Sequence, residues 1–210
     1  MFFKLLPQIL RGKSLIRALM NIELKQYRLR GQVIDIGGGT NPSYFAFLQQ
    51  EPGTTITNID GKHDKIDFEK DRLPVDDESA DVVLLFNVLE HIYHYSFVSS
   101  EMFRIVKQKG RELGFVPFLV NYHPDPHDYF RYTSESLRNI FSEVGFQNIT
   151  ITPVGLGPLA VGYNMIVTIF PRIITVLLFP LIFYTDALLL TLKPVLKERY
   201  ALGYLFELRK

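Results

Sequence analysis

Apolar and polar positions change rhythm in regular blocks along this chain. Short, β-branched apolar runs such as Val33–Ile36, Thr55–Ile59 and Asp81–Phe86 alternate with stretches whose apolar residues recur every three or four positions. The pattern predicts strands near 32–36, 55–59, 81–86, 113–117, 147–152 and 203–209, and helices near 43–50, 96–107 and 134–144. Ser134, Glu135 and Ser136 make a helix start and Gly145 a helix stop. Strands alternating with helices over 31–150 are the signature of a doubly wound α/β sheet. Glu112 and Gly114, beside the basic run Lys107–Arg111, predict an irregular fifth strand.

Two regions follow other patterns. In residues 1–29, Phe2, Leu5, Leu6, Ile9, Leu15, Leu19 and Ile22 recur at helical spacing, with Lys4, Arg11, Lys13, Arg17 and Lys25 between them. This predicts a basic amphipathic helix over 1–30, broken at Pro7 and Gly12. It is too charged to span a bilayer and lacks a secretory signal's cleavage site. It fits either a cover over a ligand pocket or a helix lying on an anionic membrane surface.

Residues 151–192 carry two charges, Arg172 and Asp186. Prolines and glycines interrupt the first half, and Pro180 splits the second. A spanning helix needs about 20 apolar residues, and Leu159–Leu192 has the length for one tilted span or a shallow hairpin. The strand at 203–209 must return to the sheet, which a single crossing forbids. The favoured reading is a membrane-dipping hairpin or a pair of interfacial helices. A lid, a subunit interface and a two-pass insertion are the alternatives. The chain thus divides into the N-terminal helix (1–30), an α/β domain (31–152 plus 200–210) and an apolar helical insertion (153–199).

At 210 residues the chain suits one domain with an insertion. Its net charge of +1 hides an asymmetry: residues 1–30 sum to +6 and the rest to −5. An acidic main body argues against nucleic acid as a partner. The chain has no cysteine, which excludes disulfides, thiolate metal sites and cysteine nucleophiles.

The chemistry concentrates at Val33-Ile34-Asp35-Ile36-Gly37-Gly38-Gly39-Thr40-Asn41-Pro42, a strand that runs into a glycine turn. Such a turn lets a ligand approach the main chain at the carboxyl end of the strand. The next strand ends at Asp60, placed to accept hydrogen bonds from ribose hydroxyls. The dinucleotide fingerprint would need glycine at 42, where the chain has Pro42. That argues against a nicotinamide-dependent oxidoreductase.

These segments resemble class I S-adenosylmethionine-dependent methyltransferases, in particular the methyltransferase type 11 group. The resemblance extends to Lys65–Phe68 and Leu73–Val75, to Ser79–Ile92, to Tyr129–Thr133 with Leu137–Phe146, and to the final run Gly203–Lys210. It implies a Rossmann-like, seven-stranded methyltransferase sheet with an apolar helical insertion before the last strand. It also implies S-adenosyl-L-methionine as cofactor. On that basis Asp35, Gly37 and Gly39 serve the methionine end, Asp60 the ribose, Asp67 and Phe68 the adenine, and Asn87 the methionine side of strand four.

Two histidines are candidates for the reaction centre. His91 follows strand four in Glu90-His91, and His127 lies in the segment Asn121–Tyr132 after strand five. Imidazole is the side chain most easily poised as a base near neutral pH. Two prolines, Pro124 and Pro126, predict an extended segment in which His123, Asp125 and His127 share a side. Such a cluster suits a divalent metal, a rigid polar substrate wall with His127 as base or positioning group, or a hydrogen-bonded loop that braces the sheet edge; no metal site is assigned. Arg131 suits either an anionic substrate or a bridge to Asp125 or Asp128. The expectation is a methyltransferase acting on a small-molecule, lipid-linked or quinone-like acceptor, cytoplasmic and peripherally or monotopically membrane-associated. A non-catalytic membrane scaffold of the same fold is the alternative.

Overall fold

The structure, a computed structural model, describes all residues 1–210. In chain order the helices are α1 (Phe2–Leu10), α2 (Leu15–Leu24), α3 (Tyr95–Ile105), α4 (Ser134–Val144), α5 (Pro158–Ile166), α6 (Arg172–Leu192) and α7 (Leu196–Arg199). The strands are β1 (Arg28–Leu29), β2 (Gln32–Ile36), β3 (Gln49–Gln50), β4 (Thr55–Ile59), β5 (Ala80–Phe86), β6 (Val106–Pro117), β7 (Asn148–Val154) and β8 (Gly203–Arg209). The main sheet has six strands in the order β4-β2-β5-β6-β8-β7. The first three neighbouring pairs are parallel, and β8 runs antiparallel between β6 and β7. β1 and β3 form a small separate parallel pair.

Helices cover both faces, so the central strands are apolar on both sides. Val33, Val82, Leu84, Leu113 and Phe115 face α1, α2, α5 and α6. Ile34, Ile36, Val83, Leu85 and Val116 face α3 and α4. α4 begins where the Thr133 hydroxyl accepts the Ser136 N–H and ends at Gly145, whose φ is +118°.

Several expectations need correction. The sheet has six strands where seven were expected. Residues 61–79 form turns and no strand, because this run is dense in Asp, Glu, Lys and Arg and offers little to bury. The helix expected at 43–50 is a single 3-10 turn, Phe45–Phe47, followed by β3. Tyr44 is drawn into the core there, which shortens the turn. Pro7 lies inside α1, and the break comes only at Gly12, with φ +82°. The fifth strand, β6, is the longest, twelve residues, and it is irregular as expected: its register with β5 shifts between Val106 and Arg111, and Lys109 there takes φ +63°. Gly114 serves it, since a Cβ there would stand 2.0 Å from the Phe206 ring.

The insertion packs on the α1–α2 side. α6 is 21 residues long, with a mean hydropathy of 2.2 over its most apolar window, and only 22% of that window is buried. Its inward stripe, including Thr175, Phe179 and Asp186, is buried. The Asp186 carboxylate accepts the N–H groups of Leu159 and Ala160 at 3.1 and 2.7 Å, capping α5. The Phe2 ring of α1 stacks on Phe179 and also meets Phe183 and Tyr184. The opposite stripe, Ile173, Leu177, Leu181, Tyr184, Leu188 and Leu192, is exposed.

Candidate active site

The carboxyl ends of β2, β4, β5 and β6 meet at one edge of the sheet, where loops close around two adjoining cavities. β2 ends in Gly37, whose N–H donates to the Ile59 carbonyl at 2.8 Å. Gly37 and Gly39 both take φ +73°. Gly38 is required by packing: a Cβ would stand 2.1 Å from Asp35 Oδ2 and 2.3 Å from the Tyr44 hydroxyl. Asp35 lies fully buried beneath this turn and accepts the Tyr44 O–H at 2.6 Å and an Asn58 amide N–H at 3.4 Å. Asn58 also donates to the Gly39 carbonyl. Burial pushes the Asp35 carboxyl up to about 7, against the Tyr44 hydrogen bond, which lowers it. Asp35 therefore shapes the glycine turn from below and does not line the cavity.

The first cavity, of about 500 Å³, is lined by Gly37, Asp60, Phe68, Asn87, His91 and His127 among others. That volume falls in the ordinary range for a small-molecule site. Asp60 Oδ1 accepts the N–H groups of Lys62 and His63 at 3.0 and 2.7 Å, which fixes the carboxylate and leaves Oδ2 without a protein donor. The Phe68 ring lies over Gly61, where a Cβ would be 3.4 Å away. Asp67 borders the cavity, but its own neighbours occupy it. Oδ1 accepts the Glu69 N–H at 3.0 Å and Oδ2 pairs with Lys70 at 3.0 Å. Those two contacts hold its pKa below the usual value. Phe68 and Ile66 supply the flat apolar wall; the Asp67 carboxylate is committed to the turn.

Asn87, at φ +55°, closes β5, and its N–H donates to the Phe115 carbonyl at 2.8 Å. It borders both cavities, as do His91 and Asp125. The second cavity, of about 410 Å³, extends under α2 and α5 past Arg17, Met20, Phe115, His123 and Asn164. Arg17 is half-buried, and burial lowers its pKa. Its guanidinium forms no ion pair and makes no side-chain hydrogen bond within the protein.

The segment 121–132 is not extended as expected. The Asp125 N–H donates to the His127 carbonyl at 3.2 Å, so the chain turns at Asp125–Pro126. His123, Asp125 and His127 are thereby separated. Asp125 pairs with Lys62 at 2.8 Å, and His127 packs beside Tyr129 on the first cavity. His123 remains exposed, but its Nε2 reaches to 3.8 Å from Glu90 Oε1. Arg131 is bound to Asp128 through two contacts, at 2.5 and 2.6 Å, which hold Asp128 at about 2. Arg131 therefore braces the loop and does not face a ligand. Sequence reasoning missed Tyr44, Asn58, Arg17 and Asn164, none of which belongs to a local motif.

Comparison with known proteins agrees with this arrangement. A family model described as a methyltransferase domain matches residues 10–151, and the chain belongs to that family. A search of curated proteins finds no match. Solved structures share the fold at low identity. One is Haemonchus contortus phosphoethanolamine N-methyltransferase 2 in complex with S-adenosyl-L-methionine. It has a TM-score of 0.57 and 14% identity, over 91% of this chain and 52% of that one. A methyltransferase from Haloferax volcanii, solved with the Trm112 methyltransferase activator, aligns with a TM-score of 0.58 and 16% identity, over 95% and 91% of the two chains. The CurJ carbon methyltransferase gives 0.56 and 13%, over 93% and 55%. The present chain thus spans about half the length of the Haemonchus enzyme.

Proposed function

We propose that this protein is an S-adenosylmethionine-dependent methyltransferase that modifies a small, membrane-proximal acceptor. The observation that carries this reading is the pair of adjoining cavities that share Asn87 and His91. The first suits the cofactor. Asp60 Oδ2 is free to accept from ribose hydroxyls, Phe68 offers a flat apolar wall for the base, and Gly37 opens the main chain to the methionine end. Gly39 supports the same turn, and Asp35 holds it from below. Bound there, the cofactor supplies a methyl group on a sulfonium, open to displacement by an acceptor lone pair. The protein's contribution is then placement and exclusion of water, which can lower a barrier by about 7–11 kcal/mol. His91, which borders both cavities, and His127, which borders the first, would position the acceptor or take its proton.

The second cavity suits the acceptor. Its floor contains Met20 and Phe115, and Arg17 would pair with an anionic group such as a phosphate or carboxylate. It runs beneath α5, which Asp186 ties to α6. The exposed apolar stripe of α6, together with the exposed Phe3 and Leu10 of α1, offers apolar surface on two helices that pack with each other, α6 also with α5. A helix bound to the protein along one stripe and apolar along the other lies in a membrane interface; it does not cross the bilayer alone. Lipid-linked and quinone-like molecules fit this delivery route. The protein would then be cytoplasmic and monotopic.

Two assays test the reading. Purified protein with methyl-labelled cofactor should transfer label into a lipid extract, and transfer should drop in Asp60→Ala. Cofactor binding without transfer to any extract fraction would instead indicate the scaffold. Anionic vesicles should sediment the wild type, and Leu177→Glu with Leu181→Glu should remain in the supernatant. Equal sedimentation of both would remove the membrane part.

A further inference from the structure

Between the two cavities stands a cluster that methyl transfer by placement alone does not require. Glu90 is fully buried, and no hydrogen bond reaches either of its carboxylate oxygens. Two ring nitrogens face Oε1, His91 Nε2 at 3.7 Å and His123 Nε2 at 3.8 Å. A buried carboxylate costs several kcal/mol unless something pairs with it.

The far side of each ring says which nitrogen carries the proton. His91 Nδ1 meets the His127 carbonyl, an acceptor only, so Nδ1 is the N–H. His123 Nδ1 lies 2.9 Å from the Asn121 carbonyl and 3.5 Å from Asp128 Oδ2. Those two acceptors outweigh the Arg131 nitrogen at 3.3 Å and place the proton on Nδ1 there too. In the neutral rings both Nε2 lone pairs then face the same carboxylate oxygen. Lone pairs and anion then converge on one spot. Histidine ligands of metals characteristically donate the remote ring N–H to a carbonyl or carboxylate in this way. The backbone of His123 is held as well, its N–H donating to Asp128 at 2.8 Å, with Asp128 fixed by Arg131.

We infer that Glu90, His91 and His123 bind a divalent transition-metal ion of the zinc class. Ligand atoms at 2.0–2.2 Å from a tetrahedral ion stand about 3.4 Å apart. The three donor atoms lie within 4.8 Å of one another, two of the pairs at 3.7 and 3.8 Å, so the ligands close inward on the ion. Two imidazoles and a carboxylate suit zinc, iron or nickel better than magnesium or calcium. Three protein ligands leave a coordination position open, as catalytic zinc sites do. Here it opens on the junction, since His91 lines both cavities and His123 the second. An oxygen of the acceptor would take that position. This last point rests on the methyltransferase reading, whereas ion binding does not. His91 is then a ligand and not a free base.

The test uses the full-length protein stripped with a chelator and titrated with ZnCl2 by calorimetry. One ion should bind per chain, and Glu90→Gln and His123→Ala should each weaken binding more than about tenfold. His63→Ala and His94→Ala, outside the cluster, should bind as the wild type does. Zinc-edge X-ray absorption of the loaded wild type, which needs no variant to fold, should show two imidazoles at about 2.0–2.1 Å. Absence of saturable binding, binding unchanged in folded His123→Ala, or fewer than two imidazoles around the ion would each overturn the inference. Because none of these readouts involves methyl transfer, failure here leaves the proposed activity standing, and the reverse holds too.

Discussion

The two faces of the sheet are covered by helices of opposite character. α4 buries Leu137 and Phe141 and turns Glu135, Arg138 and Ser142 to water. α6 buries a stripe just as narrow and turns Ile173, Leu177, Leu181 and Leu188 outward. Both helices are fastened by polar contacts at defined points, α4 by its Thr133 cap and α6 through Asp186. The difference lies in the outer faces: a helix facing water covers its outer face with charge, whereas α6 keeps isoleucine and leucine there. The second cavity is bordered by Asn164 of α5, the helix that Asp186 ties to α6.

Core truncations should break the symmetry most plainly. Phe141→Ala empties a fully buried site and should cost about 3–5 kcal/mol in chemical denaturation. Leu177→Ala, on the outer stripe, should cost less than about 0.5 kcal/mol in the absence of lipid. Equal losses would mean that α6 packs against protein on both sides.

The buried carboxylates give a second contrast. Asp35, on the α1–α2 side, is bonded to Tyr44; Glu112, on the α3–α4 side, has no partner, and burial raises its pKa well above the usual value. For Asp35 the folded pKa is about 7 against 3.8 for the ordinary group. Between those values the folded protein holds a proton that the unfolded chain has released. Stability should therefore fall as pH rises from about 4 to about 7, and then level off. For Asp35 the full effect is roughly 4 kcal/mol. Glu112 acts in the same direction. Thermal melts across this range should show the decline in the wild type and a flatter profile in Asp35→Asn and Glu112→Gln.

A smaller effect tests the fastening of α6. Asp186→Ala leaves the first N–H groups of α5 unpaired and should cost about 0.5–2 kcal/mol. It should also loosen the second cavity, which α5 borders, and leave the first unchanged. Hydrogen exchange at Leu159 and Ala160 reads this directly. Unaltered protection there would separate the two helices.

Much of this was legible in the sequence because it is local. The strand runs, the glycine turn, Asp60 and Asn87 sit where the pattern of residues 32–92 puts them, since each follows the end of a strand; Phe68, taken from the resemblance, lies in the turns after β4 and borders the first cavity. What was not legible depends on contacts distant in sequence. Gly114 reads as a strand breaker until the Phe206 ring, 92 residues later, fills its place. Tyr44 ends the expected helix because it reaches back to Asp35. Proline spacing grouped His123 with Asp125 and His127, whereas the turn at Asp125–Pro126 sends His123 to Glu90, 33 residues earlier. Asp67 was assigned through the resemblance of Lys65–Phe68, and in the structure its neighbours Glu69 and Lys70 engage it.

The most direct test of the site is a calorimetric titration of the purified protein with S-adenosylmethionine, wild type against Asp60→Ala. Saturable one-to-one binding is expected in the wild type, weakened about 10- to 100-fold in the variant, as befits loss of about 1.5–3 kcal/mol from hydrogen bonds to a charged group. No heat of binding in the wild type, or equal affinity in both proteins, would contradict the assignment of the first cavity.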